Sequence, residues 1–288
     1  MESKLRIAVQ SKGRLYEETM ELLSESGIKL TAVKRTLLVP ARNFPIELLF
    51  LRDDDIPESV ANGTADLGIV GLNEVLEKEK NVVVAKELGF SRCHLSLAIP
   101  QHIDYPGLKW FEGRKIATSY PVILSRFLER EGINADIHVI TGSVEIAPGI
   151  GLADGIFDIV SSGSTLVSNN LAEVEKVIDS QAVLIKAADR QLSAEKQATL
   201  DELMFRFEAV KAADGKKYIL MNVPKEKLDE VLSILPGMKS PTVLPLANSD
   251  WCSVHSVLEE KRLWEIVGKL KAAGAEGILA LDIERMIL

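Results

Sequence analysis

The residues best equipped for chemistry lie between Glu145 and Thr165. An apolar run from Ile156 to Val160 is interrupted by one acid, Asp158, and stops at Ser161-Ser162-Gly163-Ser164-Thr165. Those side chains have almost no bulk, and Leu166 opens a short helical pattern that ends near Asn169-Asn170. A strand running into a small-residue loop at a helix start gathers main-chain N–H groups and hydroxyls around one point, which suits a phosphate. Upstream, Asp154 and Asp158 are acceptors for sugar hydroxyls or a hydrated Mg²⁺. Phosphate donors beside hydroxyl acceptors describe a ribose 5-phosphate site. The alternative is ordinary turn chemistry, with the acids as helix caps. Asp158 favours the site, because a carboxylate in an apolar strand is costly unless something pairs with it. The loop has neither the Gly-Lys-Ser/Thr ending of a nucleoside-triphosphate P-loop nor the spacing of a dinucleotide fingerprint.

The elements that must hold these residues alternate between strand and helix. Leu5–Val9 reads as a buried strand, followed by Gln10-Ser11-Lys12-Gly13-Arg14 and a helix closed by Gly27. Ile46–Leu51 is a strand. A short helix follows, capped by Asp55 with Pro57 in its first turn and ending at Asn62-Gly63. Leu67–Val70, Val82–Leu88, His94–Ile99, Lys115–Thr118 and Ala135–Ile140 read as strands, with helices after Gly71 and over Pro121–Glu131. A small-residue helix is expected just before the Glu145–Thr165 motif. Such alternation predicts parallel sheets covered on both faces. One internal echo stands out: Asn62-Gly63-Thr64-Ala65-Asp66-Leu67-Gly68-Ile69-Val70-Gly71 parallels Leu152-Ala153-Asp154-Gly155-Ile156-Phe157-Asp158-Ile159-Val160-Ser161. Ordinary α/β grammar explains it, as do two related lobes facing one cleft, with ligands at strand ends. Val183–Lys186 is expected to return to the first lobe.

Ser193–Ala213 reads as a long amphipathic helix with Leu200, Leu203, Met204, Phe207 and Val210 on one face. Beyond it, strands at Tyr218–Val223, Thr242–Leu246, Cys252–Leu258 and Gly277–Ile283, with helices at Lys225–Ile234 and Leu263–Ala273, follow the ferredoxin-like order. The expected domains are residues 1–92 with 180–213 as one lobe, 93–179 as the second, and 214–288 as a regulatory or assembly module. Among 288 residues, 47% are hydrophobic and 26% charged, ordinary values for a globular protein. A net charge of −8 argues against a nucleic-acid partner, which needs clustered Lys and Arg. Cys93 and Cys252 stand in no metal or redox spacing, and no signal peptide or membrane span is read, so a reducing cytoplasm is expected. The histidines, His94, His102, His138 and His255, are scattered and read as structural or surface groups.

Across this length the chain resembles the ATP phosphoribosyltransferases of the long, histidine-regulated form. The resemblance is carried by Lys12-Gly13-Arg14-Leu15, Arg52-Asp53-Asp54-Asp55-Ile56-Pro57, Gly63–Gly71, Ala117-Thr118-Ser119-Tyr120-Pro121, the Glu145–Thr165 motif and Leu235-Pro236-Gly237-Met238-Lys239-Ser240-Pro241-Thr242-Val243-Leu244-Pro245-Leu246. It implies two periplasmic-binding-protein-like α/β lobes forming a catalytic cleft, plus a C-terminal ferredoxin-like (ACT-like) α+β domain. It implies transfer of the 5-phosphoribosyl group of phosphoribosyl pyrophosphate to N1 of ATP, with Mg²⁺. Ser161, Ser162, Gly163, Ser164 and Thr165 would cradle the 5-phosphate. Glu145, Asp154 and Asp158 would face the ribose hydroxyls and Mg²⁺, and Lys12 and Arg14 the pyrophosphate and triphosphate. Asp66, Leu67, Gly68 and Gly71, with Thr118, Ser119 and Tyr120, would border the nucleotide; for Asp66 a helix-cap role stands equally open. Histidine would bind near Asn222, Met238, Ser240 and Thr242, with Asn222 replacing an acid found in some relatives. The family's dimers associate into hexamers. A two-lobed binding or sensing protein and a phosphoribosyltransferase for another base remain the alternatives.

Overall fold

The computed structural model describes residues 4–30, 36–235, 240–248 and 250–288. They condense into two compact units, Met1–Glu21 with Ile28–Leu200, and Leu22–Gly27 with Asp201–Leu288.

The first unit holds two sheets. One is built from β1 (Leu5–Gln10), β2 (Leu38–Pro40), β3 (Ile46–Leu51), β4 (Leu67–Gly71) and β5 (Val82–Glu87), with helices α1 (Arg14–Glu25), α2 (Ile56–Ala61) and α3 (Leu72–Lys78) between them. The second takes β6 (Cys93–Pro100), β7 (Lys115–Thr118), β8 (Asp136–Val139), β9 (Gly155–Val160) and β10 (Leu171–Ser180), with α4 (Pro121–Glu131) and α5 (Ser164–Ser168). The chain then returns to the first sheet as β11 (Ala182–Ala187) and leaves along α6 (Ala194–Ala213). Strand orders are β2-β3-β1-β4-β11-β5 and β10-β6-β9-β7-β8.

These sheets are mixed, which corrects the all-parallel expectation. β1 runs parallel to β3 and β4, and β7 parallel to β8 and β9. β11 is antiparallel to β4 and β5, and β6 to β9 and β10, because two strands cross between the lobes and must enter each sheet reversed. The apolar runs read as buried strands are buried: Ala8, Val70, Val183 and Ile185 pack with Ile56 and Val60 of α2. Leu95, Leu97, Ile116 and Phe157 pack with Leu124 and Phe127 of α4. The small-residue helix expected before β9 is only a single 3-10 turn, Val144–Ile146. Asp55 precedes α2 as expected but makes no side-chain capping hydrogen bond.

The second unit contains β12 (Lys216–Pro224), α7 (Leu228–Ile234), β13 (Thr242–Pro245), β14 (Trp251–Glu259), α8 (Leu263–Ala272) and β15 (Glu276–Asp282). Its order, β13-β14-β12-β15, with every neighbour antiparallel, is ferredoxin-like. Met221, Val223 and Val254 meet Ile266 and Leu270 of α8 in its core. Leu200, Leu203, Phe207 and Val210 are buried along α6, while Met204 is half-buried. The boundary between units falls inside α6 rather than after it. The second half of α6 is tied to residues that fold with it: Met286 N–H donates to Ala209 O at 2.8 Å, and Arg206 Nη1 to Ser26 O at 3.4 Å. No helix among the described residues is long and apolar enough to cross a membrane.

Candidate active site

Parallel pairing puts the C-terminal ends of β7 and β9 on one edge of their sheet, and those of β1, β3 and β4 on one edge of theirs. The small-residue loop leaves the end of β9. Gly163 sits there at φ +74°, a left-handed conformation that suits glycine, and turns the chain into α5. Among the described residues, no acceptor in the chain takes the N–H groups of Ser161 through Leu166; the first helical bond is Val167 N–H to Gly163 O at 3.1 Å. Side-chain contacts do not close the loop over them: the Ser162 and Ser164 hydroxyls meet each other at 3.0 Å. Ser161, Ser162, Ser164 and Thr165 are exposed and Gly163 half-buried, a row of open donors on a loop without bulk.

Asp158 lies two residues before the strand end on the same face as Ile156 and Val160. Its carboxylate accepts the Ile159 N–H at 2.8 Å. Burial, reinforced by the charge of Glu145, nevertheless raises its pKa to about 6. Glu145 sits on the 3-10 turn packed beside β9. A buried carboxylate with a second one beside it, next to a row of open N–H groups, fits a hydrated Mg²⁺ that arrives on an anionic substrate. Among the described residues no set of three His, Cys, Asp or Glu stands ready to hold a metal unaided.

On the facing edge, β1 runs into the Lys12-Gly13-Arg14 turn, with Gly13 at φ +87°. Lys12 is exposed and forms no ion pair among the described residues, whereas Arg14 pairs with Glu18 at 3.0 Å. The ends of β4 and β7 meet through a buried polar cluster that sequence reasoning missed. Asn73 donates from its main chain to Ser180 Oγ at 3.1 Å, accepts that hydroxyl at 2.8 Å, and donates from Nδ2 to Glu74 at 3.1 Å and to the Tyr120 hydroxyl at 3.4 Å. Gly71 is what admits Asn73: a Cβ there would lie 2.3 Å from Asn73 Oδ1. Burial, and then Asp53, push Glu74 up to about 7. Tyr120 is raised by burial, then by Glu74, Asp158 and Asp53, so the acids of both lobes converge on this ring. The readable signal was Asn73-Glu74 in the first turn of a helix that opens one residue after the strand-end Gly71.

Several expected contacts lie elsewhere. Asp154 and Asp66 precede β9 and β4, so they sit at the opposite ends of their strands from the cleft edge, roughly 20 and 16 Å away at ~3.3 Å per residue. Each performs the same structural task. Asp66 accepts the Arg6 N–H at 2.8 Å and donates its own N–H to Arg6 O at 2.9 Å. Asp154 repeats this with Lys115, at 2.8 Å in both directions. The echo between the lobes is thus a clasp that sets parallel register, and Lys196 Nζ further neutralises Asp66 at 2.6 Å. Leu67 and Gly68 are buried in the first sheet, where a Gly68 Cβ would meet Ile56 Cγ2 at 2.7 Å. Thr118 is fully buried and its hydroxyl accepts the Tyr120 N–H at 2.8 Å. Ser119 donates to Ile140 O at 2.7 Å and shapes the adjoining turn.

In the second unit, Asn222 is half-buried opposite Ser253, which in turn faces Leu244, two residues from Thr242; all lie on the sheet face away from the helices. Ser240 is exposed, and Met238 lies outside the described residues. Both ring nitrogens of His255 are engaged, by Tyr218 at 2.6 Å and Ser253 at 2.9 Å, and His94 meets Glu173 at 2.8 Å, so these two histidines have structural partners.

Two mixed α/β lobes, with strand ends leading into an open small-residue loop, followed by a separate ferredoxin-like module, define the class. The model of the ATP phosphoribosyltransferase family, HisG, matches residues 52–209, and that of the HisG C-terminal domain matches residues 213–285. ATP phosphoribosyltransferases of Phocaeicola vulgatus and Bacteroides thetaiotaomicron are 69% and 67% identical over 284 residues, covering 99% of this chain and all of theirs. A solved ATP phosphoribosyl transferase (HisG:HisZ) complex from Thermotoga maritima contains a chain 28% identical to this one. Its TM-score is 0.61, over 71% of this chain and 98% of that one. The chain belongs to the ATP phosphoribosyltransferase family. It is an enzyme, a transferase acting at the first step of histidine biosynthesis.

Proposed function

We propose that the chain transfers the 5-phosphoribosyl group of phosphoribosyl pyrophosphate to N1 of ATP, releasing pyrophosphate, in the cytoplasm. The observation that carries this reading is the row of unengaged N–H groups from Ser161 to Leu166, which begins three residues beyond Asp158. A 5-phosphate placed on that row puts its ribose over β9, with Asp158 and Glu145 toward the hydroxyls. Lys12, free of an ion pair among the described residues, faces the leaving diphosphate. The bond from C1 to the diphosphate oxygen breaks as N1 supplies its electron pair to C1, and positive charge builds on the sugar. Anionic side chains near the ring stabilise that charge, so positioning and electrostatics do more here than a strong base. Mg²⁺, when bound, neutralises the departing diphosphate. Thr165, Ser162 and Ser164 supply hydroxyls to the phosphate. Asn73 and Glu74 line the opposite bank, and Tyr120 meets them from the β9 side, where the nucleotide fits.

Purified protein should release pyrophosphate only when phosphoribosyl pyrophosphate, ATP and Mg²⁺ are all present. Turnover with another base in place of ATP, or none at all, would refute the assignment. The C-terminal unit reads as the seat of histidine inhibition, supported by Asn222 and Thr242 sharing one sheet face. Its inhibitor favours a hexamer assembled from dimers, a population shift between assemblies. Removing residues beyond Gly215 should abolish inhibition by histidine in the same assay; inhibition that persists places the effector elsewhere.

A further inference from the structure

The two lobes are joined by two short crossings, the loop from Leu88 to Arg92 and the single residue Gln181 between β10 and β11. A pair of strands crossing side by side leaves one rotation soft, that of one lobe about the crossings. Away from them, two buried side chains of α3 reach across among the described residues: Asn73, which meets the Tyr120 hydroxyl at 3.4 Å, and Glu77. Glu77 belongs to α3 in the first lobe, yet its two carboxylate oxygens accept the Val122 N–H at 3.0 Å and the Ile123 N–H at 3.1 Å. Those groups form the first turn of α4 in the second lobe, and the residue that should cap α4, Tyr120, makes no side-chain capping bond. Glu77 therefore supplies from one lobe the N-terminal anchor of a helix in the other. It is buried, so water does not compete for the contact. Its negative charge also meets the positive end of an 11-residue helix.

We infer that Glu77 is a positioning residue for the transferase reaction: by anchoring α4 to α3 it fixes the angle at which the β9 loop and Tyr120 of the second lobe face the Lys12 turn of the first. The inference rests on the two-bank cleft proposed above. The geometry favours this over simple stabilisation because the contact lies one helical turn from Asn73 and Glu74, which hold Tyr120 from the same helix. Loss of Glu77 frees the first turn of α4 and leaves the neighbouring Tyr120 held from α3 through Asn73. A nearby pair across the same seam, Arg126 with Glu79, is half-exposed and serves as a control.

The test uses the full chain in four forms: wild type, Glu77→Ala, Glu77→Gln and Arg126→Ala. Amide hydrogen exchange at Val122 and Ile123, which needs no activity, should accelerate in Glu77→Ala and stay slow in Arg126→Ala. In wild-type protein that turns over ATP and phosphoribosyl pyrophosphate, Glu77→Ala should raise KM for both substrates by roughly tenfold to a hundredfold at temperatures well below its own Tm. Glu77→Gln, which keeps one acceptor oxygen, should recover part of that loss, and Arg126→Ala should leave the kinetics unchanged. Should Glu77→Ala not fold, the Glu77→Gln KM and exchange rates carry the test. Accelerated exchange with unchanged KM values would overturn the inference, and slow exchange in Glu77→Ala would overturn the latch itself. Failure of the wild type to turn over would instead count against the proposed function.

Discussion

Replacing Asp158 by Asn separates what this acid costs the fold from what it does for the reaction. Burial and the Glu145 charge raise its pKa from 3.8 to about 6. At about 1.4 kcal/mol per tenfold, that rise corresponds to roughly 3 kcal/mol. The sign follows from linkage. Below about pH 4 both folded and unfolded chains hold the proton, and Asp158 carries no penalty. As the pH climbs toward 6 the unfolded chain releases its proton first, so stability falls, and above about 6 the full penalty persists. Asparagine cannot ionise, retains an oxygen for the Ile159 N–H, and has nearly the same shape. Asp158→Asn should therefore be roughly 3 kcal/mol more stable than wild type at pH 8, a rise in Tm of roughly 5–10 °C, and nearly equal to it at pH 4. Turnover should fall roughly a hundredfold or more, since the charge that stabilises the sugar is gone. Thermal melts at both pH values, with pyrophosphate release at pH 8, measure both arms. An equal Tm change at pH 4 and pH 8 would refute the electrostatic account, and unimpaired turnover would remove Asp158 from the mechanism.

Three further outcomes are expected. Gly68→Ala drives a methyl into Ile56, Val60 and Ile185, so it should cost about 1–3 kcal/mol in urea melts while leaving KM for both substrates unchanged. Asp154→Ala should lower stability by about 1–2 kcal/mol through loss of its bond to the Lys115 N–H, again with wild-type kinetics; a large rise in KM would return it to the cleft. Glu74, raised from 4.5 to about 7, contributes stability that is complete below about pH 4.5 and declines as pH rises through 7. Glu74→Gln should flatten the pH dependence of Tm over that interval, and a profile identical to wild type would contradict its burial.

Much of this architecture is legible in the chain because apolar runs and glycine punctuation are local properties. Ile46–Leu51, Lys115–Thr118 and Pro121–Glu131 coincide with their strands and helix, and Gly27 and Gly132 adopt the positive φ expected of helix ends. The strand Leu171–Ser180 escaped notice for a physical reason. It lies at a sheet edge, is half-exposed and charged, and two irregularities, between Glu173 and Glu175 and between Lys176 and Ile178, break the alternation that marks a strand. Strand direction is likewise not a local property, hence the mixed sheets. In the site, the β9 loop could be found from its lack of bulk. Asp66 and Asp154 misled because spacing reveals an acid beside a strand but not which end of that strand faces the cleft. Glu77 was invisible for the opposite reason, as its partners are main-chain groups 45 residues further along.

The position of β11 has a consequence for how the molecule is made. This strand lies between β4 and β5, which are separated from it by the whole of the second lobe. On a ribosome, the first lobe emerges with a gap in its central sheet that stays open until residues near Ala187 appear. The intervening segment closes upon itself first, and the final strand slots in last. Nascent chains arrested before β11 should thus present unsatisfied strand edges at β4 and β5, making this interval of synthesis the one most dependent on chaperones.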